Sequence, residues 1–265
     1  MQQNQIQLIQ QLIAQGKPIP FSYNGRTFYL NPDQSAVYHL KNSISKIADL
    51  VQLINEDAKT ILDIGANCGL FAAFAAMKLP NADIFAFEPA PDLVPVMQQN
   101  FKGLNVSLQP VAVSDQTGEQ TLYVNPASQQ TNSLKPEAVD LFAENVPIEE
   151  EIVWCTTLDD FADENSLQQI DVMKVDVQGF EGAVFRGARS VMPHVQQLFV
   201  ESIWPDLDSV MELIPMGIHY GFRYAALINP VYMGADVLFS RTEITSTKVV
   251  KKFELTPDLL KRTWF

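Results

Sequence analysis

Thr60-Ile-Leu-Asp63-Ile-Gly65-Ala66-Asn67-Cys-Gly69 sets an acid and two glycines between one apolar run and the next. Glycines at 65 and 69 let the backbone turn tightly, either so that a ligand can approach closer than a Cβ would permit or so that a helix can pack close on a strand. Phe85-Ala-Phe-Glu88-Pro89 ends the following apolar run with a carboxylate, at the place from which doubly wound α/β folds hydrogen-bond a ribose. A nucleoside ligand follows from the two together. A pyrophosphate-binding loop carries G-x-G-x-x-G and holds its anion at a helix N-terminus. Here the spacing is G-x-x-x-G with Asp63 two positions ahead, which suits a ligand bearing an ammonium and a sulfonium. S-adenosylmethionine is such a ligand.

A second set stands further along. Lys174 and Asp176 share one face of an apolar run, because strand side chains alternate, and Glu201 ends the next such run. Open α/β sheets bind reactants outside the carboxyl ends of their strands, so these three are the candidates for catalysis. Two acids on neighbouring strand ends must be separated by a cation or shift their proton affinities. Methyl transfer from a sulfonium needs in-line placement, and a hydroxyl acceptor also needs its proton acidified or removed. Two routes fit. In one, Asp176 and Glu201 hold Mg²⁺ as a Lewis acid; in the other, Lys174 with a depressed pKa, or a carboxylate, is the base. Simpler roles stay open beside them: Lys174 as ion-pair partner of Asp176, and Asp176 with Gly179 as a shaper of the strand-to-helix turn. Trp204-Pro205 offers an aromatic wall for an acceptor, and His39 lies in a helical region able to fold over the site.

The elements that must position these residues alternate short apolar strands with helical stretches from Lys59 onward, the pattern of a parallel sheet covered on both faces. Strands are expected at 60–64, 83–88, 106–113, 172–175 and 197–201, with helices at 69–78, 91–101, 157–162 and 180–187. Residues 220–228 and 236–240 read as a closing antiparallel pair. Ahead of them, the spacing of Ile6, Leu8, Ile9, Leu12 and Ile13 predicts a helix, Asn24-Gly25 a hairpin, and residues 33–54 a second helical region. Residues 125–151, rich in Ser, Gln and Asn and then in acid, are expected to form a lid or insertion. The run at 149–151 reads as solvated surface.

Composition narrows the partners. The 265 residues carry 18 Lys+Arg against 31 Asp+Glu, a net charge of −13, which leaves no basic face for nucleic acid. No apolar run approaches the roughly 20 residues that span a bilayer, and the N-terminus lacks the charge pattern of a secretory signal. Cytoplasmic location is the expectation. Cys68 and Cys155 have neither disulfide-scaffold nor zinc-ligand spacing.

The chain resembles the FkbM-type S-adenosylmethionine-dependent methyltransferases, on Leu62-Asp-Ile-Gly-Ala-Asn-Cys-Gly69, Phe87-Glu-Pro89, Ala112-Val-Ser-Asp115, Thr157-Leu-Asp-Asp160, Met173-Lys-Val-Asp-Val-Gln-Gly179 and Phe199-Val-Glu201, all in order. Gln178 departs from the Glu often found there. The resemblance implies a class I methyltransferase (Rossmann-like) fold, a doubly wound seven-stranded sheet with an antiparallel C-terminal hairpin. Residues 1–58 form a helix–hairpin–helix cap and 59–265 the cofactor-binding domain. It implies that Asp63, Gly65, Ala66, Asn67 and Gly69 surround the methionine part with Asp176 beside it. Glu88, followed by Pro89, takes the ribose hydroxyls, and Val113 and Ser114 meet the adenine. The implied function is O-methylation of a small molecule, a sugar or a polyketide- or peptide-type natural product. The alternatives are a nicotinamide-dependent dehydrogenase and a non-catalytic cofactor-binding domain of a biosynthetic assembly.

Overall fold

The structure is a computed structural model, and it describes residues 3–140, 146–203, 207–231 and 234–256. The chain opens with α1 (Gln3–Ala14), β1 (Ile19–Tyr23), β2 (Arg26–Leu30), α2 (Ala36–Tyr38), a π-turn (His39–Ser43) and α3 (Ile44–Gln52). There follow β3 (Thr60–Ile64), α4 (Leu70–Lys78), β4 (Asp83–Phe87), α5 (Val94–Phe101), β5 (Val106–Gln109), β6 (Ala112–Val113), β7 (Gly118–Val124), α6 (Pro136–Asp140) and β8 (Glu149–Thr156). The remainder is α7 (Leu158–Glu164), β9 (Ile170–Val175), α8 (Glu181–Arg186), β10 (Val195–Ile203), α9 (Leu207–His219), β11 (Tyr224–Val231), β12 (Gly234–Ser240) and β13 (Lys251–Glu254). No described helix is long and apolar enough to cross a membrane.

The main sheet has the order β13-β11-β12-β10-β9-β3-β4-β5. Strands β5, β4, β3, β9 and β10 run parallel, and β12, β11 and β13 continue antiparallel. The α/β architecture and the closing hairpin are as expected, but the sheet has eight strands rather than seven. The extra strand is Lys-Lys-Phe-Glu at 251–254, whose charged composition gives no strand signal and which forms only by pairing with residues 224–227. The single strand expected over 106–113 is also two. Pro110 has no N–H to donate to a ladder, so β5 stops at Gln109, and β6 pairs instead with Cys155 and Thr156 of β8. A separate three-stranded sheet, β6-β8-β7, results. The acidic run at 149–151 belongs to it, paired antiparallel to residues 122–124 rather than lying as loop.

Helix α4, Leu-Phe-Ala-Ala-Phe-Ala-Ala-Met-Lys, is buried on every side over residues 70–76, because it lies between the sheet and the N-terminal hairpin. Phe74 stacks on Tyr23 at 4.0 Å and meets the edge of Phe28 at 5.2 Å. The hairpin closes on Asn24 and Gly25, both at positive φ, as its two-residue turn requires. Ile19, Phe28, Leu30, Leu50, Val51 and Ile54 thus share one core with Phe71 and Phe74. The chain leaves β3 to build β4 on one side and later β9 on the other, so the topological switch point lies between β3 and β9, where open α/β sheets bind their ligands.

Candidate active site

Strand register assembles the charged residues. Parallel pairing sets Asp63 opposite Lys174 across β3 and β9, and Lys174 opposite Phe199 across β9 and β10. Two residues on, Asp176 is therefore level with Glu201, and the antiparallel pairing of β10 with β12 sets Glu201 opposite Asp236. With a side-chain period of two, both rows face the same side. The Lys174 ammonium lies 3.2 Å from Asp63 Oδ1 and 3.4 Å from Asp176 Oδ2, and it donates to the Gly65 carbonyl at 3.2 Å. Asp63 is wholly buried, and its Oδ2 accepts from the Ala72 amide at 3.2 Å. The Gln178 carboxamide donates to Asp176 Oδ1 at 2.6 Å and to Glu201 Oε2 at 2.9 Å. Lys46, from α3, reaches Glu201 Oε1 at 2.5 Å and Asp236 Oδ1 at 3.3 Å.

The loop after β3 is held by its own neighbours. The amides of Gly65 and Ala66 donate to the Phe87 carbonyl, that of Asn67 to Glu88 Oε2 at 2.8 Å, that of Cys68 to Asn67 Oδ1, and that of Gly69 to the Ala66 carbonyl. None of these five is left to cradle a pyrophosphate, unlike a dinucleotide loop. Glu88 also accepts from the Ala90 amide, at 3.0 Å, so its carboxylate is fixed at the end of β4.

One cavity of about 720 Å³ joins the two sets. Gly65, Ala66, Asn67, Glu88, Pro89, Val113, Lys174, Asp176 and Glu201 line it. Asp63, Gly69 and Ser114 do not. Asp63 lies beneath the floor as the counter-ion of Lys174. A Cβ at Gly69 would meet the Phe101 ring at 2.4 Å, so this glycine serves helix packing. The Ser114 hydroxyl is buried away from the cavity, where it accepts from Gln120 at 2.8 Å and donates to Asp115. Three residues that sequence did not single out for this site complete it: Lys46, Gln178 and Asp236. His39 and residues 129–134 of the expected lid form the outer wall. Trp204 and Pro205 lie outside the described residues.

Burial dominates the proton affinities. It pushes Glu88 up to about 7 and Asp236 to about 6, and, with the Asp176 charge beside it, Glu201 to about 8. Burial would also raise Asp176, but Lys174 foremost, then hydrogen bonds from Glu201 and Gln178 and the charge of Lys46, hold it below the usual carboxylate range. Lys174 does not have the depressed pKa expected of a base. Burial alone would lower it, but Asp63 and Asp176 outweigh that and keep the ammonium charged.

The Mg²⁺ expectation meets a different donor set. Mg²⁺ takes oxygen ligands in near-octahedral array, whereas the facing oxygens of Asp176 and Glu201 receive the Gln178 amide and two ammonium groups. No group of three His, Cys, Asp or Glu residues able to hold a metal ion is found among the described residues. This arrangement does not fit Mg²⁺. A cationic nucleoside does fit: Glu88 borders the cavity with its carboxylate fixed, and Asp176, held ionised, faces the same space beside the Glu201 and Asp236 carboxyls.

These raised carboxyls set a pH dependence for the ligand-free protein. A carboxyl whose folded pKa exceeds its unfolded value favours folding fully below the unfolded value, and that contribution is lost as pH rises through the folded one. With Glu88, Asp236 and Glu201 raised to about 7, 6 and 8, the thermal midpoint is expected to fall by several degrees between about pH 5 and pH 8.5. Calorimetry across that range checks the sign, and a midpoint that rose steadily would contradict the buried-acid description.

The model of the FkbM methyltransferase domain matches residues 63–224. The 31-O-demethyl-FK506 methyltransferase FkbM of Streptomyces tacrolimicus is 25% identical over 203 residues, 67% of this chain and 77% of that protein. The 2-O-methyltransferase NoeI of Sinorhizobium fredii is 26% identical over 221 residues, 77% and 88% of the two chains. Among solved structures, M. capricolum TrmK in complex with S-adenosyl-homocysteine superposes with a TM-score of 0.46 at 11% identity, over 78% of this chain and 70% of that one. The matched segment begins at Asp63 and runs through every strand that carries the two rows of charged residues except β12, and it makes this chain a member of the FkbM methyltransferase family, an S-adenosylmethionine-dependent methyltransferase.

Proposed function

We propose that the protein transfers the methyl group of S-adenosylmethionine to a hydroxyl oxygen of a small molecule, a sugar or a polyketide- or peptide-type natural product. The observation that carries this reading is the single cavity, in which a ribose-type carboxylate, Glu88, is continuous with the acidic strand ends of β9, β10 and β12. Relatives named as a 31-O-demethyl-FK506 methyltransferase and a 2-O-methyltransferase support oxygen as the acceptor atom. The bound cofactor supplies an electrophilic methyl on a sulfonium.

The chain's own residues do the rest. Glu88 accepts from the ribose hydroxyls, and Gly65, Ala66 and Asn67 shape the wall beside the methionine part. Asp176, kept ionised by Lys174, supplies negative charge where the cofactor is positive. Gln178 and Lys46 fix the Glu201 carboxyl so that it meets an acceptor hydroxyl in one orientation. Residues 39–49 and 129–134 close the cavity from outside and select the acceptor.

Calorimetric titration with S-adenosylhomocysteine and with NAD, followed by incubation with S-adenosylmethionine and a panel of methyl glycosides and macrolides, tests the reading. Micromolar binding of the first nucleoside alone and mass-shifted methyl ethers are expected. Methylation confined to amines or carboxylates would overturn it.

A further inference from the structure

The carboxylates around the cavity are all committed. Asp63 and Asp176 hold Lys174, Glu201 and Asp236 hold Lys46, and Glu88 accepts from two backbone amides. Asp176 and Glu201 further accept from Gln178. A base for an acceptor hydroxyl must lie in the cavity, have a free lone pair and be able to change its protonation without breaking the site. One side chain on the wall meets this description. The ring of His39 lines the cavity from the π-turn, touches the edge of the Tyr38 ring at 6.3 Å between centroids, and takes part in no hydrogen bond or ion pair among the described residues. The π-turn widens the helix at that point, a distortion that proteins use to re-aim side chains at functional sites.

We propose that His39 is the general base of the reaction. This rests on the O-methylation reading above. The acceptor's O–H proton passes to the free ring nitrogen as an oxygen lone pair forms the new O–CH₃ bond and the electron pair of the S–CH₃ bond leaves with sulfur. The products are the methyl ether, S-adenosylhomocysteine and an imidazolium that returns its proton to water. The ring is in the right state to begin. Burial lowers its proton affinity below the ordinary 6.5, against an opposing pull from Asp33 and Asp176, so it is neutral at pH 7. The other charged groups lining the cavity are Lys41, Lys46 and Asp49 on its own helical segment, Glu88 after β4, Lys174 on β9, Glu201 on β10 and Asp236 on β12.

Two measurements on the full chain decide the matter. With S-adenosylhomocysteine bound, ring-¹⁵N spectra follow the three histidines, assigned through His39→Gln, His194→Gln and His219→Gln, so that assignment survives if one variant fails to fold. His39 is expected to be neutral at pH 7 with a midpoint below 6.5; a ring protonated at pH 7 overturns the proposal. On the hydroxyl compounds of the panel, His39→Gln is expected to lower kcat by about 10²- to 10⁴-fold and to abolish the acid limb of its pH profile, with the S-adenosylhomocysteine Kd changed less than about threefold. Unchanged turnover in that variant overturns the role of His39 alone. Methylation of amines but of no hydroxyl compound by the parent overturns the O-methylation reading instead.

Discussion

Gly65→Ala is expected to destabilise the protein by roughly 3–5 kcal/mol, or to prevent folding, where Gly103→Ala costs only about 1 kcal/mol. The two glycines share a backbone conformation, with φ of +73° and +74°, so the left-handed strain of an L-residue is common to both. They differ in what surrounds them. A Cβ at Gly103 meets nothing within 4 Å, whereas one at Gly65 would sit 1.9 Å from the Asp176 carbonyl oxygen and 2.8 Å from its carbon. Those atoms cannot retreat, because the Asp176 amide is bonded to the Ile64 carbonyl and its side chain to Lys174 and Gln178. Relief requires prying β9 from β3, which separates Lys174 from Asp63. Urea midpoints for both variants give the comparison, and equal losses would show that β3 and β9 are not in contact through this glycine. A folded Gly65→Ala would also bind S-adenosylhomocysteine weakly, since the shift opens the floor of the cofactor side.

That close approach bears on what a sequence can disclose. The loop, the acid at 88 and the strand ends at 174, 176 and 201 were legible because each lies within a few residues of an element whose type its own pattern declares. The reason for the glycines was not. Both Gly65 and Gly69 make room for protein, a carbonyl at Asp176 and the ring of Phe101, each far along the chain. Lys46 was invisible for a similar reason: nothing in α3 marks one lysine as the partner of a carboxylate 155 positions away. Asp236 becomes part of the site only through the antiparallel register that sets it opposite Glu201. β13 carries no strand pattern of its own because its residues are strand-forming only against a partner edge, and the apolar pattern of β5 and β6 runs on across Pro110, which hides their division. Ser114 is the opposite case, a residue singled out by resemblance whose hydroxyl bonds Gln120 and does not line the cavity.

Affinity for S-adenosylhomocysteine is expected to be level above about pH 8 and to weaken roughly 30-fold by about pH 5.5, with the bend near the free-protein value for Glu88. Burial pushes this carboxyl up to about 7 in the ligand-free protein, despite the amides of Ala90 and Asn67 that favour its charge. A ribose diol offers two O–H donors and is best met by the ionised form, so below pH 7 a proton must leave before the nucleoside binds. Each unit of pH then weakens affinity by up to tenfold. Titrations near pH 6 in buffers of different ionisation enthalpy should register release of about 0.9 proton per nucleoside bound. Glu88→Gln, which imitates the protonated group, is expected to bind about 10²-fold more weakly at pH 8 and to show no bend. An unchanged pH profile in that variant would remove Glu88 from the ribose site. S-adenosylhomocysteine is the informative probe because it lacks the sulfonium charge, so the pull of Asp176 and Glu201 on that charge is absent from its curve. Repeating the series with S-adenosylmethionine adds their response, and the difference between the two curves isolates the field of the strand-end acids from that of the ribose carboxylate.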